Sequence, residues 1–117
     1  MDTAYSALDD VPFEQALTVL ATVVSVNQDG GWAVADAGLK AFGMDHGNPS
    51  LPGANVWYCS DEHVIFSMED GAALPSCGDR VRLLPAHIDP TCALHELAWV
   101  VDGDQVVDRW PVDMRGW

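Results

Sequence analysis

Short runs of β-branched and aromatic residues, separated by glycine- and proline-bearing turns, recur along the chain and constrain its fold more than any other feature. The strongest run is Ala16-Leu17-Thr18-Val19-Leu20-Ala21-Thr22-Val23-Val24-Ser25-Val26, which has no breaker. Both of its alternating faces are apolar or small, which predicts a central, well-covered strand. Asp29-Gly30-Gly31 then reads as a hairpin turn into a returning strand, Trp32 to Asp36. Asn55 to Cys59 and His63 to Met68 flank Ser60-Asp61-Glu62 as a second strand pair. Arg80 to Leu84 is a further strand, and Leu97 to Val101 with Gln105 to Trp110 forms a terminal hairpin across Asp102-Gly103-Asp104. Ala37 to Phe42 is open between a short helix and an irregular crossing. Residues 1–13 are polar and acidic and read as a lead-in segment with at most one helical turn. The pattern predicts a mainly all-β domain, a small barrel or sandwich, with at most a short helix.

The totals narrow the partners. The chain has 117 residues, the length of one domain, so 1–117 is read as a single unit. Eighteen acidic residues against five basic ones leave a net charge of −13. Nucleic acid binding needs a basic patch that displaces counterions, and anionic membrane surfaces attract basic segments, so neither is expected as a partner. Cys59, Cys77 and Cys92 are odd in number and lack a CxxC spacing, which argues against a secreted disulfide framework. No signal peptide is legible and no apolar run approaches a membrane span, so a cytoplasmic location is expected.

The chemistry concentrates in Leu84-Pro85-Ala86-His87-Ile88-Asp89-Pro90-Thr91-Cys92-Ala93-Leu94-His95. Read as extended backbone, His87 and Asp89 point to one side and offer an imidazole beside a carboxylate. That pair suits Zn²⁺ or Mn²⁺, and the flanking prolines restrict its geometry. The plain alternative is a polar turn between two strands. His95 is a possible third ligand, against a histidine hydrogen-bonded to backbone at a strand start. Gly43 to Gly53 forms a long loop holding Asp45 and His46, which could line the same opening or be ordinary loop residues. Trp32, Trp57, Trp99 and Trp110 are expected in core or interdomain packing.

Taken together, Thr18 to Ser25, Asp36 to Ala41, Ser60-Asp61-Glu62-His63, Gly78 to Pro85, His87-Ile88-Asp89-Pro90-Thr91 and Val106 to Val112 resemble the C-terminal β-domain of the D-threonine aldolase and D-serine dehydratase-like family. The resemblance runs in order from about residue 2 to Gly116. It implies a fold similar to the β-domain of alanine-racemase-type enzymes, known as fold-type III. There the β-domain completes an active site across a homodimer, beside a (β/α)₈ barrel that carries pyridoxal phosphate. It also implies that His87 and Asp89 are metal ligands in a P-x-H-x-[CD] motif. Asp at the second position resembles the aldolase branch, so Mn²⁺ or Mg²⁺ is expected over Zn²⁺. Asp61 and His63 match an acidic-His strand-pair motif near the substrate pocket and are candidate catalytic residues, with a solvated hairpin turn as the alternative.

The implied reaction is retro-aldol cleavage of D-3-hydroxy amino acids to glycine and an aldehyde, with the pyridine ring as electron sink. Lys40, the one lysine, does not match the family's cofactor lysine, so no residue of this chain is expected to bind pyridoxal phosphate. The barrel is expected as a partner, in cis or in trans, and the isolated chain is expected to be inactive. The alternatives are a domain of a D-serine dehydratase-like lyase, or a stand-alone, non-catalytic acidic β-module that binds a metal or a partner protein.

Overall fold

The computed structural model describes residues 1–3, 5–113 and 115–116. Ala4, inside the lead-in segment, lies outside the described residues. That segment carries a 3-10 turn at Tyr5–Ala7. Seven strands follow: β1 (Val19–Asn27), β2 (Trp32–Ala35), β3 (Ala54–Cys59), β4 (Val64–Met68), β5 (Arg80–Leu83), β6 (Leu97–Asp102) and β7 (Gln105–Pro111). One short helix, α1 (Ile88–Ala93), lies between β5 and β6. The first five strands form one antiparallel sheet in the order β3-β4-β2-β1-β5, curled into a half-barrel, and β6 and β7 form a hairpin of their own. The mainly β expectation holds. Closure is partial, because β3 and β5 are the sheet's two edges.

The concave face carries the core. Ala21 and Val23 of β1, Ala33 and Ala35 of β2, Val64 and Phe66 of β4 and Leu83 of β5 are buried together with Ala37 and Phe42 from the following loop. Small alanines on the two middle strands leave room for the rings of Phe42 and Phe66, an alternation of small and large that fills a curled sheet. Residues 37–42 resolve as turns rather than a helix. Gly38 explains why: a Cβ there would lie 2.2 Å from the carbonyl oxygen of Ser60, so the crossing presses directly onto the β3–β4 turn.

The expected cover on both faces of β1 is not found. β1 pairs with β2 and with β5, yet Leu20 and Val24 are exposed on its convex side. Alternation alone cannot tell a covered face from one left to an external partner. The pairing shift between Val23 and Ser25 also breaks the alternation and returns Val26 to the core side. The tryptophans follow the same rule. Trp57, Trp99 and Trp110 are exposed, so they are not core residues of this chain. No helix among the described residues is long and apolar enough to cross a membrane.

Candidate metal centre

Two backbone bridges build the site. Gly43 pairs with His87 and Ser50 pairs with Leu84, both antiparallel. The second is a double hydrogen bond, Ser50 N–H to the Leu84 carbonyl at 2.9 Å and Leu84 N–H to the Ser50 carbonyl at 2.8 Å. Six residues (44–49) separate the bridges on one strand and two (85–86) on the other. The longer side must bow outward, and Asp45 and His46 sit on that bow.

His87 has extended backbone (φ −139°, ψ 121°) and precedes the first residue of α1, while Asp89 stands in the helix's first turn. The extended segment expected across His87-Ile88-Asp89 therefore ends at His87, and a strand's two-residue alternation does not bring this pair together. The helical turn does so instead. His87 Nε2 lies 3.8 Å from Asp89 Oδ2. The imidazole is mostly covered, and the Asp89 carboxylate is 95% exposed.

The other ring nitrogen is engaged. His87 Nδ1–H donates to Asp45 Oδ2 at 2.7 Å. That hydrogen bond is the main reason the Asp45 carboxyl is held below the usual carboxylate range. The His46 ring stacks on the His87 ring, with centroids 4.1 Å apart and planes inclined by 2°. His46 Nε2 is 3.7 Å from the same Asp45 oxygen.

Thr91 holds the two halves together. Its side chain is buried, and its Oγ1–H donates to the His87 carbonyl at 2.6 Å while Oγ1 accepts from Gly43 N–H at 3.0 Å. One hydroxyl thus ties α1 back to its own start and across to the loop. Gly43 is required by contact, since a Cβ there would meet Pro90 Cγ at 2.2 Å. Sequence reasoning missed both residues. The available signal was Thr91 four positions after His87, the spacing at which a helical threonine reaches back to a carbonyl.

The remaining candidates lie apart. His95 Nε2–H donates to the Ala41 carbonyl at 2.9 Å, the backbone hydrogen bond expected as the alternative to ligation. Asp61 and His63 sit on the β3–β4 turn, where Ser60 N–H donates to the His63 carbonyl at 2.8 Å. Among the described residues neither side chain is hydrogen-bonded or ion-paired to Asp45, His46, His87 or Asp89. The Asp61 carbonyl accepts from Lys40 N–H at 3.1 Å, and the Lys40 ammonium pairs with Glu62. That pair lowers the Glu62 carboxyl and raises the Lys40 ammonium.

A half-barrel of five strands whose rim loop and short helix converge on a histidine and three neighbouring polar side chains defines a class, a β-domain that presents a His/carboxylate centre. Residues 16–101 match the family model "Putative serine dehydratase domain". The chain belongs to the D-threonine aldolase and D-serine dehydratase-like family, as its C-terminal domain. It is 39% identical to a D-threonine aldolase of Arthrobacter sp. over 122 residues, 99% of this chain and 32% of that one. A crystal structure of D-threonine aldolase from Filomicrobium marinum superposes with a TM-score of 0.87 at 38% identity, over 99% of this chain and 33% of that one. The fold recurs in an alanine-racemase-like protein of Idiomarina loihiensis, with a TM-score of 0.71 at 25% identity over 86% of this chain and 32% of that one. The chain thus spans about a third of the length of the aldolases it matches. An uncharacterized protein of Mycobacterium tuberculosis is of similar size, 37% identical over 90% of this chain and 87% of its own length.

Proposed function

We propose that this chain is the metal-binding β-domain of a pyridoxal-phosphate-dependent D-amino-acid lyase of the D-threonine aldolase type, acting on D-3-hydroxy amino acids. The observation that carries the reading is the facing pair His87 Nε2 and Asp89 Oδ2, 3.8 Å apart at the start of α1. One imidazole nitrogen and one carboxylate, open to solvent on the Asp89 side, fit a divalent cation that keeps free positions for substrate. An oxygen-bearing, thiol-free pair favours Mn²⁺ or Mg²⁺ over Zn²⁺. Cys92 stays outside it, with burial pushing its thiol up, so the protonated form is favoured. A cation held by His87 and Asp89 would supply Lewis acidity toward the substrate's hydroxyl. In this chain His87 offers a neutral ligand, and Asp89 a charge that offsets the cation.

Pyridoxal phosphate does not fit the residues present. Lys40 is exposed and paired with Glu62, and no step through the cofactor is assigned to this chain. A barrel domain, in cis or in trans, is the partner this reading requires. Two apolar surfaces support it: the convex sheet face, with a cleft of about 310 Å³ lined by Trp32, Val34, Trp57, Tyr58 and Ile65, and the β6–β7 hairpin. Patches of that kind mark interaction surfaces. Asp61 and His63 are assigned to the substrate side of the assembled pocket, on the family motif alone.

The test is calorimetric titration of the chain with Mn²⁺ and Zn²⁺. The expected result is one Mn²⁺ site, lost in His87→Ala and in Asp89→Ala, and no D-threonine cleavage until a barrel domain from a relative is added. A wild-type chain that binds neither ion, with or without that barrel, refutes the reading. The Mycobacterium tuberculosis relative of similar length favours a second one, a stand-alone β-module. A chain that stays monomeric in light scattering, and gains no activity from any barrel, supports it.

A further inference from the structure

The rim loop offers a second way to hold a cation. One ligand atom each from Asp45, His46 and His87 lie within 4.8 Å of one another. Two features of the geometry tell against direct ligation by all three. Imidazole lone pairs lie in the ring plane, and the His46 and His87 rings are parallel, 4.1 Å apart. A cation bonded in the plane of one ring at about 2.1 Å is then far out of the plane of the other. The 2.7 Å between His87 Nδ1 and Asp45 Oδ2 is a hydrogen-bond distance, filled by the proton between them.

We propose that Asp45 is a positioning residue for His87. Its carboxylate holds the proton on Nδ1, so that Nε2 presents a bare lone pair toward Asp89, and the buried Thr91 hydroxyl with Gly43 fixes the loop that carries it. This rests on the reading of His87 and Asp89 as metal ligands. A ligating histidine whose second nitrogen donates to a carboxylate has a fixed tautomer, a fixed ring orientation and a more basic ligand nitrogen. Each part is present here. The donor is Nδ1, the acceptor is Asp45 Oδ2, the opposite nitrogen faces Asp89, and the stacked His46 ring closes one face of the imidazole. The loop is not free to drift. Its ends are bridged at Gly43–His87 and Ser50–Leu84, and Thr91 bonds to both Gly43 and His87 within the buried interior. The His87 ring is therefore preorganised before any cation arrives.

The first measurement needs no metal. Long-range ¹⁵N–¹H NMR of the histidine rings, at a pH where His87 is neutral, is expected to show His87 as the Nδ1–H tautomer. In Asp45→Ala it should shift to a mixture dominated by Nε2–H. Asp45→Asn, which keeps an acceptor oxygen and loses the charge, should fall between. An Nε2–H tautomer in the wild type, or a His87 signature unchanged by Asp45→Ala, overturns the proposal. The second measurement is the Mn²⁺ titration. Affinity is expected to fall about 10- to 100-fold in Asp45→Ala, less in Asp45→Asn and little in His46→Ala. Loss of binding in His46→Ala with retention in Asp89→Ala would establish Asp45, His46 and His87 as direct ligands and overturn the proposal. A wild type that binds neither Mn²⁺ nor Zn²⁺, with or without a barrel domain, would refute the metal reading, while the tautomer still decides what Asp45 does to His87.

Discussion

The five-stranded sheet and the β6–β7 hairpin draw on the same valines, alanines and aromatics, yet they treat them in opposite ways. In the sheet, Phe66 is 0% exposed and its neighbours Ala33, Ala35 and Val64 are equally enclosed. In the hairpin, Trp99 and Trp110 are each 58% exposed, and every residue of β7 is exposed. The sheet supplies its own cover by curling over Phe42 and the loop that follows β2. The hairpin pairs along its length, from Leu97–Pro111 to Asp102–Gln105, and among the described residues it reaches the sheet through one long hydrogen bond, Arg82 Nη2–H to the Gly103 carbonyl at 3.3 Å. An isolated two-stranded hairpin is marginal in water, and this one takes little cover from the sheet. The stability of the domain is thus expected to rest on the sheet far more than on the hairpin.

The sharpest way to break that comparison is to truncate one aromatic in each region. Phe66→Ala is expected to cost about 3–5 kcal/mol, enough to unfold much of the chain. Trp99→Ala in the same chain is expected to stay within about 0.5 kcal/mol. Urea unfolding followed by circular dichroism reads both. A comparable loss at Trp99 would mean that the hairpin belongs to the same core.

A smaller effect is expected at the clamp between loop and helix. Thr91→Val keeps the volume and removes the hydroxyl, leaving Gly43 N–H and the His87 carbonyl without their partner. That is worth about 1–3 kcal/mol for buried groups. Faster hydrogen exchange at the Gly43 amide, with β2 and β4 unchanged, would confine the change to the site. Uniform loss of protection would instead show that the site and the sheet form one cooperative unit.

The smallest effect probes the enclosure of the sheet chemically, without mutation. Burial against the concave face pushes the Cys59 thiol up to about 11, whereas Cys77 is exposed in the connection before β5. The thiolate is the nucleophile, so at pH 8 Cys59 holds about a hundredfold less of it than an ordinary thiol. Alkylation followed by mass spectrometry should label Cys77 first, Cys92 next and Cys59 last. Because the folded state raises this pKa, the native state's preference for the protonated thiol is intact below the ordinary thiol range. It is lost as pH rises toward 11, so alkaline pH should weaken the sheet. Rapid labelling of Cys59 at neutral pH would show that the sheet opens readily at β3.

Much of this molecule was legible from residue order alone. The β-branched runs and glycine turns located all seven strands to within about three residues, and Gly30-Gly31 and Asp102-Gly103-Asp104 fell on real hairpin turns. The collinear stretches from Thr18 to Val112 pointed to the family, and His87-Ile88-Asp89 pointed to the centre. The reason is physical: strand propensity and turn geometry depend on residues close in sequence, and a motif of that length is itself local. The tertiary structure decided the rest. Which face of β1 is covered depends on Phe42 and Phe66, far along the chain. That His87 and Asp89 are joined by a helical turn depends on Thr91 and on a glycine 44 residues before His87. Asp45 reaches Nδ1 only because two bridges force a six-residue segment to bow against a two-residue one. No local pattern encodes a distance between segments, and that distance is what turns a histidine in a loop into one with a fixed proton.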